Sequence, residues 1–142
     1  MKKRLTQHFD LSEFTESSTA KKLGIINVPD LRICNNIEYG CVNVLEPLAE
    51  YLKERIIINS GYRCLRLNKA VGGQPTSQHM TGEAADIHIP NAEYARKVFD
   101  FLKVNKFVDQ LLYEKSKSAQ WLHVSWSVNR EPRHYINQNY HV

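Results

Sequence analysis

Two histidines and one aspartate are the residues of this sequence best suited to hold a metal ion. His79 and Asp86 are separated by six residues, several of them small, and His123 lies in the apolar run WLHVS at residues 121–125. Two imidazoles and a carboxylate form a ligand set that suits zinc, and three protein ligands leave a fourth position open, as a catalytic zinc requires. A single histidine beside a strand is more often a hydrogen-bonded or surface residue, so this interpretation needs support from the rest of the chain.

That support comes from five sequence blocks that follow one another along the chain. They are IINSGYR at 57–63, LNKAVGG at 67–73, SQHMTGEAAD at 77–86, DQLLYE at 109–114 and WLHVS at 121–125. In this order, and over about residues 9–126, the sequence resembles the M15 family of zinc peptidases, in the compact branch of bacteria and their phages. This family includes D-Ala-D-Ala carboxypeptidases and related endolysins, and the hedgehog signalling domain has a related zinc-site fold.

The resemblance implies specific roles for several side chains. His79, Asp86 and His123 would bind one Zn²⁺ ion. Arg63 follows a predicted strand, where a cation stabilises a developing oxyanion or binds a substrate carboxylate, and the resemblance assigns it to catalysis. Ser77 is expected to help Arg63 bind the substrate. Without a neighbouring site, an arginine at the end of a strand would be read as a solvated surface residue.

The general base is the position at which this sequence departs from part of the family. Many relatives, such as the D-Ala-D-Ala dipeptidases, carry an acid three residues before the last histidine ligand, where this chain has Gln120, which cannot accept a proton at neutral pH. In the hedgehog domain, a Tyr-Glu ends one hairpin strand and a His-x-Ser lies on the next, and Tyr113, Glu114 and residues 123–125 resemble that arrangement. We therefore assign Glu114 as the base, with Glu83 as the weaker candidate and a surface charge as the alternative for Glu114.

The function implied by the resemblance is a zinc metallopeptidase that hydrolyses D-Ala-containing peptide bonds in the stem peptides of bacterial peptidoglycan. The motifs do not distinguish a D,D-carboxypeptidase from an endolysin-type endopeptidase. A catalytically inert, zinc-bearing module that binds cell wall or protein is the alternative, and Gln120 is the residue that favours it. A nucleic-acid binder is disfavoured, because the chain has no clustered basic stripe and no recognised reading element.

Composition and charge limit the surroundings in which the protein works. A net charge of +4 and a pI near 9.0 favour anionic polymers, whether cell-wall glycopolymers or nucleic acid, so charge alone decides nothing. No apolar segment has the length of a membrane span, and none follows residues 1–4 as a signal peptide would require, so we expect no membrane insertion. We predict a monomer that is cytoplasmic as synthesised, phage-encoded, and active on the wall after release.

The length of 142 residues and the 42% content of apolar residues predict one folded domain over 1–142, with 1–8 and 127–142 at its periphery. The expected class is α+β, with a central, mainly antiparallel sheet that carries the zinc site and helices packed on it. The odd number of cysteines, without metal-type spacing, predicts free thiols in a reducing compartment, with Cys34 and Cys41 in the core.

Capping residues and periodicity predict where the elements lie. Short helices are expected at 11–14 and 17–24, with Ser12 and either Ser17 or Ser18 as N-caps, a long helix from Pro29 that is kinked or restarted at Pro47, and further helices at 65–71 and 92–103. Strands are expected at 55–60, 84–89, 107–114 and 121–126, and the run of isoleucines at 56–58 predicts a strand that is buried on both faces. Residues 74–82 are predicted to form an exposed, flexible loop, and His88 is interpreted as a bystander.

Overall fold

A five-stranded sheet occupies the centre of the molecule, and the computed structural model describes residues 3–138. Its strands are β1 (Ile58–Ser60), β2 (Ala84–His88), β3 (Val108–Lys115), β4 (Gln120–Trp126) and β5 (Tyr135–Asn137). The strand order is β1-β2-β4-β3-β5, and every pair is antiparallel except β3 with β5, which is parallel. The predicted α+β class and the mainly antiparallel sheet are confirmed.

The helices begin and end largely where the capping residues predict. They are α1 (Ser12–Thr15), α2 (Ser18–Leu23), α3 (Leu31–Gly40), α4 (Glu46–Leu52), α5 (Leu65–Ala70) and α6 (Ala92–Leu102). The side chains of Ser17, Asp30 and Asn91 accept the N-terminal N–H bonds of α2, α3 and α6. The prediction for Ser12 is wrong, because Ser12 lies inside α1 and its own N–H is accepted by Asp10.

Pro47 interrupts the long helix as predicted. A wide helical turn at Cys41–Leu45 separates α3 from α4, which has this proline in its first turn. Because proline has no N–H, the carbonyl group of Asn43, four residues earlier, loses its helical partner. The side chain of Asn105 replaces that partner with a 3.0 Å hydrogen bond to the Asn43 carbonyl oxygen.

The apolar stripe of this helical segment forms much of the core. Its members are buried between the segment and the sheet: Cys34, Ile37, Cys41, Val44, Leu48 and Leu52. The predicted core positions of Cys34 and Cys41 are therefore confirmed, and no disulfide bond joins the three cysteines, all of which lie within the described part of the chain. No helix within residues 3–138 is long and apolar enough to cross a membrane.

The first predicted strand is shorter and less buried than its isoleucines suggested. Only Ile58–Ser60 is extended within the sheet, and β1 has a single neighbour, β2. Ile56 is buried, but Ile57 is 53% exposed, so the prediction of burial on both faces is wrong. An edge strand has one row of backbone groups open to solvent, and a short apolar run does not reveal whether a strand is central or at the edge.

The segment after β4 returns to the sheet through a buried carboxylate. Asp109 is fully buried, and its oxygens accept hydrogen bonds from the guanidinium groups of Arg130 and Arg133. Shortly afterwards β5 pairs with β3, with Gln110 opposite Tyr135. Residues 127–142 were expected at the periphery of the domain. Their described part, 127–138, provides an edge strand and two cations beside the sheet.

Candidate active site

The structure brings the three candidate ligands together. Asp86 on β2 and His123 on β4 are direct cross-strand partners, and His79 lies on a short 3₁₀ turn, Gln78–Thr81, that precedes β2. The Asp86 Oδ1 atom is 3.3 Å from His79 Nε2 and 3.0 Å from His123 Nδ1. One ligand atom from each residue lies within 4.8 Å of the other two, which is a convergence suited to a single metal ion.

The hydrogen bonds of His79 leave one of its ring nitrogens available to a metal. Its Nδ1 atom is 2.6 Å from the carbonyl oxygen of Gly61, and because a carbonyl only accepts, Nδ1 must carry the proton. The lone pair then lies on Nε2, the atom that faces Asp86. Metal-binding histidines commonly donate their second nitrogen in this way, which fixes both tautomer and ring orientation.

Asp86 remains an anion in the folded protein. Its burial acts to raise the pKa, but His79 and His123 oppose that effect and hold the pKa well below the usual range of aspartate. Arg63 contributes a further cation, with Nη2 3.5 Å from Asp86 Oδ2. A buried carboxylate with two imidazoles is the donor set expected of a site for a divalent cation.

Arg63 is held by side chains on both sides of the turn that follows β1. Its Nε atom donates to Ser60 Oγ at 3.1 Å, and its Nη1 atom donates to Asn68 Oδ1 at 3.2 Å. Asn68 is almost fully buried and also donates to the carbonyl oxygen of Gln74. The guanidinium group therefore has a fixed position against Asp86 rather than the solvated one of an ordinary surface arginine.

A second amide, Asn27, fixes the backbone that carries Arg63. Its Nδ2 atom donates to the carbonyl oxygens of Thr15 and Tyr62, and its Oδ1 atom accepts from the N–H of Cys64. Sequence reasoning missed both Asn27 and Asn68 as positioning residues. Asn68 lies in the LNKAVGG block, which was the available signal for it, whereas no motif or periodicity distinguishes Asn27 from the surface amides of the chain.

The segment around His79 forms a 3₁₀ turn and is more buried than the predicted loop. Ser77 Oγ accepts the N–H of His79, and the carbonyl oxygen of His79 accepts the N–H of Arg63 at 3.1 Å. His79 is only 3% exposed, so the prediction that residues 74–82 are exposed is wrong at this residue. Ser77 itself lines the cavity in front of the three ligands.

Glu114 lies on the same side of the sheet as His123. It pairs with Trp121 across β3 and β4, two residues along from the pair formed by Leu112 and His123, and its carboxylate lines the cavity. Burial raises its pKa above that of an ordinary glutamate, although the nearby His123 partly opposes the shift. Glu114 therefore shares one cavity with the three candidate ligands.

The other residues considered for the site lie elsewhere. Gln120 hydrogen-bonds the hydroxyl group of Tyr113, away from the cavity. Glu83 accepts hydrogen bonds from the Thr81 hydroxyl and from the backbone N–H of Val128. His88 is exposed at the end of β2 and does not line the cavity, which agrees with its interpretation as a bystander.

The three candidate ligands lie in a cavity of about 680 Å³, whose rim contains residues that sequence reasoning missed. These rim residues are mostly polar: Gln78, Gln110, Trp121, Arg130, Arg133 and Tyr135. Alternation along β3 and β4 places Gln110 and Trp121 on the face of His123 and was the available signal for those two. Arg130 and Arg133 follow the last predicted strand. No alternating pattern continues there, so the sequence does not predict which way their side chains point.

Comparison with known proteins agrees with this geometry. A family model described as Peptidase M15 matches residues 7–125, which is most of the chain and includes all three candidate ligands. No curated protein matches the sequence. The chain therefore belongs to the M15 peptidase family.

Proposed function

We propose that this protein is a zinc-dependent peptidase that hydrolyses D-Ala-containing peptide bonds in the stem peptides of bacterial peptidoglycan. The convergence of His79, Asp86 and His123 in one open cavity is the observation that carries the proposal. Membership of the M15 peptidases supports the reaction class, and the resemblance of the sequence blocks to D-Ala-D-Ala carboxypeptidases and endolysins supports the substrate class.

The residues present fit a zinc ion. His79 Nε2, one oxygen of Asp86 and His123 Nδ1 would hold it, with the fourth position open toward the cavity. When bound, zinc supplies Lewis acidity, which polarises a carbonyl group and makes a water molecule acidic near neutral pH. The buried Gly61 carbonyl group keeps the His79 ring in the orientation that this role requires.

Hydrolysis then depends on three side chains of the cavity. The Glu114 carboxylate takes a proton from the attacking water and passes it to the nitrogen of the leaving amine. Arg63 donates to the scissile carbonyl oxygen as negative charge develops there, using N–H groups that Ser60, Asn68 and Asp86 leave available. Ser77, at the cavity wall, donates to or accepts from the peptide backbone.

The proposal is tested by mass spectrometry of purified muropeptides incubated with the zinc-loaded protein, with and without a chelator. Loss of one alanine that the chelator prevents would identify a D,D-carboxypeptidase. Chelator-sensitive conversion of cross-linked dimers to monomers would identify an endopeptidase. Intact muropeptides in the presence of stoichiometric zinc would overturn the proposal and favour the inert binding module.

A matched pair of histidine variants tests the ligand assignment in the same preparation. His123→Ala removes a candidate ligand, so we expect it to lose stoichiometric zinc and activity together. His88→Ala removes an exposed histidine from the strand of Asp86 without touching the cavity, and it should keep both. Zinc bound equally well by wild type and His123→Ala would contradict the assignment.

A further inference from the structure

We propose that Arg133, positioned by Asp109 and assisted by Arg130, forms a subsite that binds a carboxylate group of the substrate peptide. The inference rests on the proposed function for the identity of the ligand as a peptide. The cationic character of the subsite follows from the positions of the two arginines alone. Both arginines line the cavity that contains the three candidate metal ligands, and neither takes part in the hydrolysis described above.

The buried Asp109 carboxylate holds both guanidinium groups in place. Its oxygens accept from Arg130 Nη1 and Nη2 at 2.9 and 3.0 Å, and from Arg133 Nη2 at 2.7 Å. The backbone N–H of Arg133 donates to the same carboxylate at 2.6 Å. Two long side chains are thereby ordered before any ligand arrives, so that binding a ligand costs less side-chain conformational entropy.

Each guanidinium group keeps donors for a ligand. An arginine has five N–H donors. Within residues 3–138, hydrogen bonds use three on Arg130, to Asp109 and the Glu131 carbonyl oxygen, and three on Arg133, to Asp109 and the Gln78 side chain. The remaining N–H groups are available for the paired contacts that guanidinium groups make with carboxylates.

The charge at this wall of the cavity is in excess. Asp109 supplies one negative charge to two arginines, and within residues 3–138 neither arginine forms a salt bridge with another carboxylate, so this part of the chain leaves one positive charge unbalanced there. The side chains of Arg130 and Arg133 are 48% and 51% exposed, whereas Arg63 is 16% exposed and directly faces Asp86. Half of each arginine side chain therefore stays open to the cavity and to solvent, where its charge and free donors can reach an anionic group.

The subsite is connected to the candidate metal centre. Gln78 Oε1 accepts from Arg133 Nη2 at 3.4 Å, and Gln78 directly precedes His79 on the ligand-bearing turn. The Gln78 amide also donates to the Trp126 carbonyl oxygen, which fixes its own position. A carboxylate bound at Arg133 would therefore anchor one part of the peptide at a fixed place relative to the bond that is hydrolysed.

The test compares three peptides that differ by one functional group. The first is a stem-type pentapeptide ending in Lys-D-Ala-D-Ala, with free carboxylates on its D-glutamate and at its C-terminus. The others carry an amide in place of one or the other carboxylate. We expect wild type to prefer the free acid to one of the amides by about tenfold in KM, and Arg133→Gln to abolish that preference while affecting kcat much less.

The amide that wild type discriminates against identifies the carboxylate that is bound. Arg130→Gln should weaken the same preference, and it provides the answer if the thermal melt shows that Arg133→Gln does not fold. Arg96→Gln, an exposed arginine of α6 outside the cavity, controls for the loss of one positive charge and should leave the preference unchanged. Equal KM values of wild type for all three peptides would overturn the inference. So would a preference for the free acid that is undiminished in Arg133→Gln.

A failure of the proposed function can be distinguished from a failure of the carboxylate subsite. If none of the peptides is hydrolysed, calorimetric titration of the zinc-loaded protein with the same three peptides still measures the subsite. A preference for the free acid in Kd that Arg133→Gln removes would keep the carboxylate subsite and reject only the reaction. Equal affinities for acid and amides would overturn the subsite as well.

Discussion

The two carboxylates of the cavity differ in state because their neighbours differ. Asp86 is in contact with His79 and His123, and these two groups outweigh its burial and keep its pKa low. Glu114 lies farther along the sheet, where burial is the strongest influence and raises its pKa. A pair of acids whose pKa values are moved apart in this way can serve separately as a permanent anion and as a proton acceptor.

Replacement of Glu114 by glutamine tests that division of roles. We expect Glu114→Gln to lower kcat by roughly 100-fold or more, the usual contribution of general base catalysis, because an amide accepts no proton at neutral pH. Zinc content should stay stoichiometric, since Glu114 is not among the converging ligands. Hydrolysis assays and metal analysis of the same samples measure both.

Glu83→Gln is the matched control for that experiment. The Glu83 carboxylate is engaged by the Thr81 hydroxyl and the Val128 N–H outside the cavity, so its kcat should stay near that of wild type. A large loss in Glu83→Gln with near-normal kcat in Glu114→Gln would reverse our assignment of the base.

Sequence reasoning singled out side chains that the structure brings into one cavity, but not those that hold them in place. The two-residue period of a strand predicts that Glu114 and His123 can share one face of the sheet, because alternation is a local property of the chain. Asn27 contacts Tyr62, 35 positions away, and only tertiary structure brings such partners together. Amides of this kind have no sequence signature, so positioning residues are systematically harder to predict than reactive ones.

Among the elements, the 3₁₀ turn that carries His79 is confined by its neighbours. Gly82 ends this turn with φ 74°, a left-handed conformation that favours glycine. A Cβ atom at this position would lie 2.7 Å from the carbonyl oxygen of Ile33 and 2.8 Å from its side chain. The turn is therefore packed directly on α3, and the position of His79 depends on that close approach.

Gly82→Ala should consequently destabilise the protein and disturb the metal site. We expect a loss of about 3 kcal/mol, from backbone strain together with overpacking against α3, and roughly a 9 °C fall in Tm. Zinc affinity should fall as well, because the shift in the turn displaces His79. Thermal melts with and without zinc measure both effects.

Gly24→Ala separates the strain from the clash. Gly24 ends α2 with φ 66°, but among the described residues no heavy atom would lie within 4 Å of an added Cβ atom. This variant should lose only about 1 kcal/mol and keep its zinc affinity. Equal losses in the two glycine variants would show that the contact with Ile33 has no part in holding the turn.

Helix ends were predicted better than strand ends, because helix ends depend on neighbouring residues and strand ends depend on pairing with distant ones. The N-cap of α2 and the break at Pro47 depend on side chains adjacent to the helix end, so the sequence reveals them. The extent of β1 depends on which strand pairs beside it, and that is decided by the order of the whole sheet. β5 was not predicted at all, since its three residues gain their strand conformation from pairing with β3.

In the whole molecule, one buried aspartate connects residues 130–133 to the sheet and to the cavity. Asp109 lies at the start of β3, and its two arginine partners precede β5. These contacts bring residues 130–133 to the rim of the site, so the C-terminal segment contributes to the cavity as well as to the sheet. Loss of the Asp109 charge should therefore lower the stability of the protein and release Arg130 and Arg133 from their positions at the cavity rim.

Asp109→Asn should lower stability by about 2 kcal/mol near neutral pH, or roughly 6 °C in Tm, because it removes charge-assisted hydrogen bonds at a buried position. Arg133 and Arg130 outweigh burial and hold the pKa of Asp109 far below the ordinary aspartate value of 3.8. The stability that this shift provides is complete above the ordinary pKa and is lost as the pH falls below it toward the folded-state pKa. The difference in Tm between wild type and Asp109→Asn should therefore be largest near neutral pH and should shrink below about pH 4.

Asp100→Asn is the control for this experiment. Asp100 is exposed on α6 and, among the described residues, pairs only with Lys103. Its replacement should therefore change the free energy of unfolding by less than about 0.5 kcal/mol. A difference for Asp109→Asn that stays constant with pH would mean that its charge does not hold the C-terminal segment to the sheet.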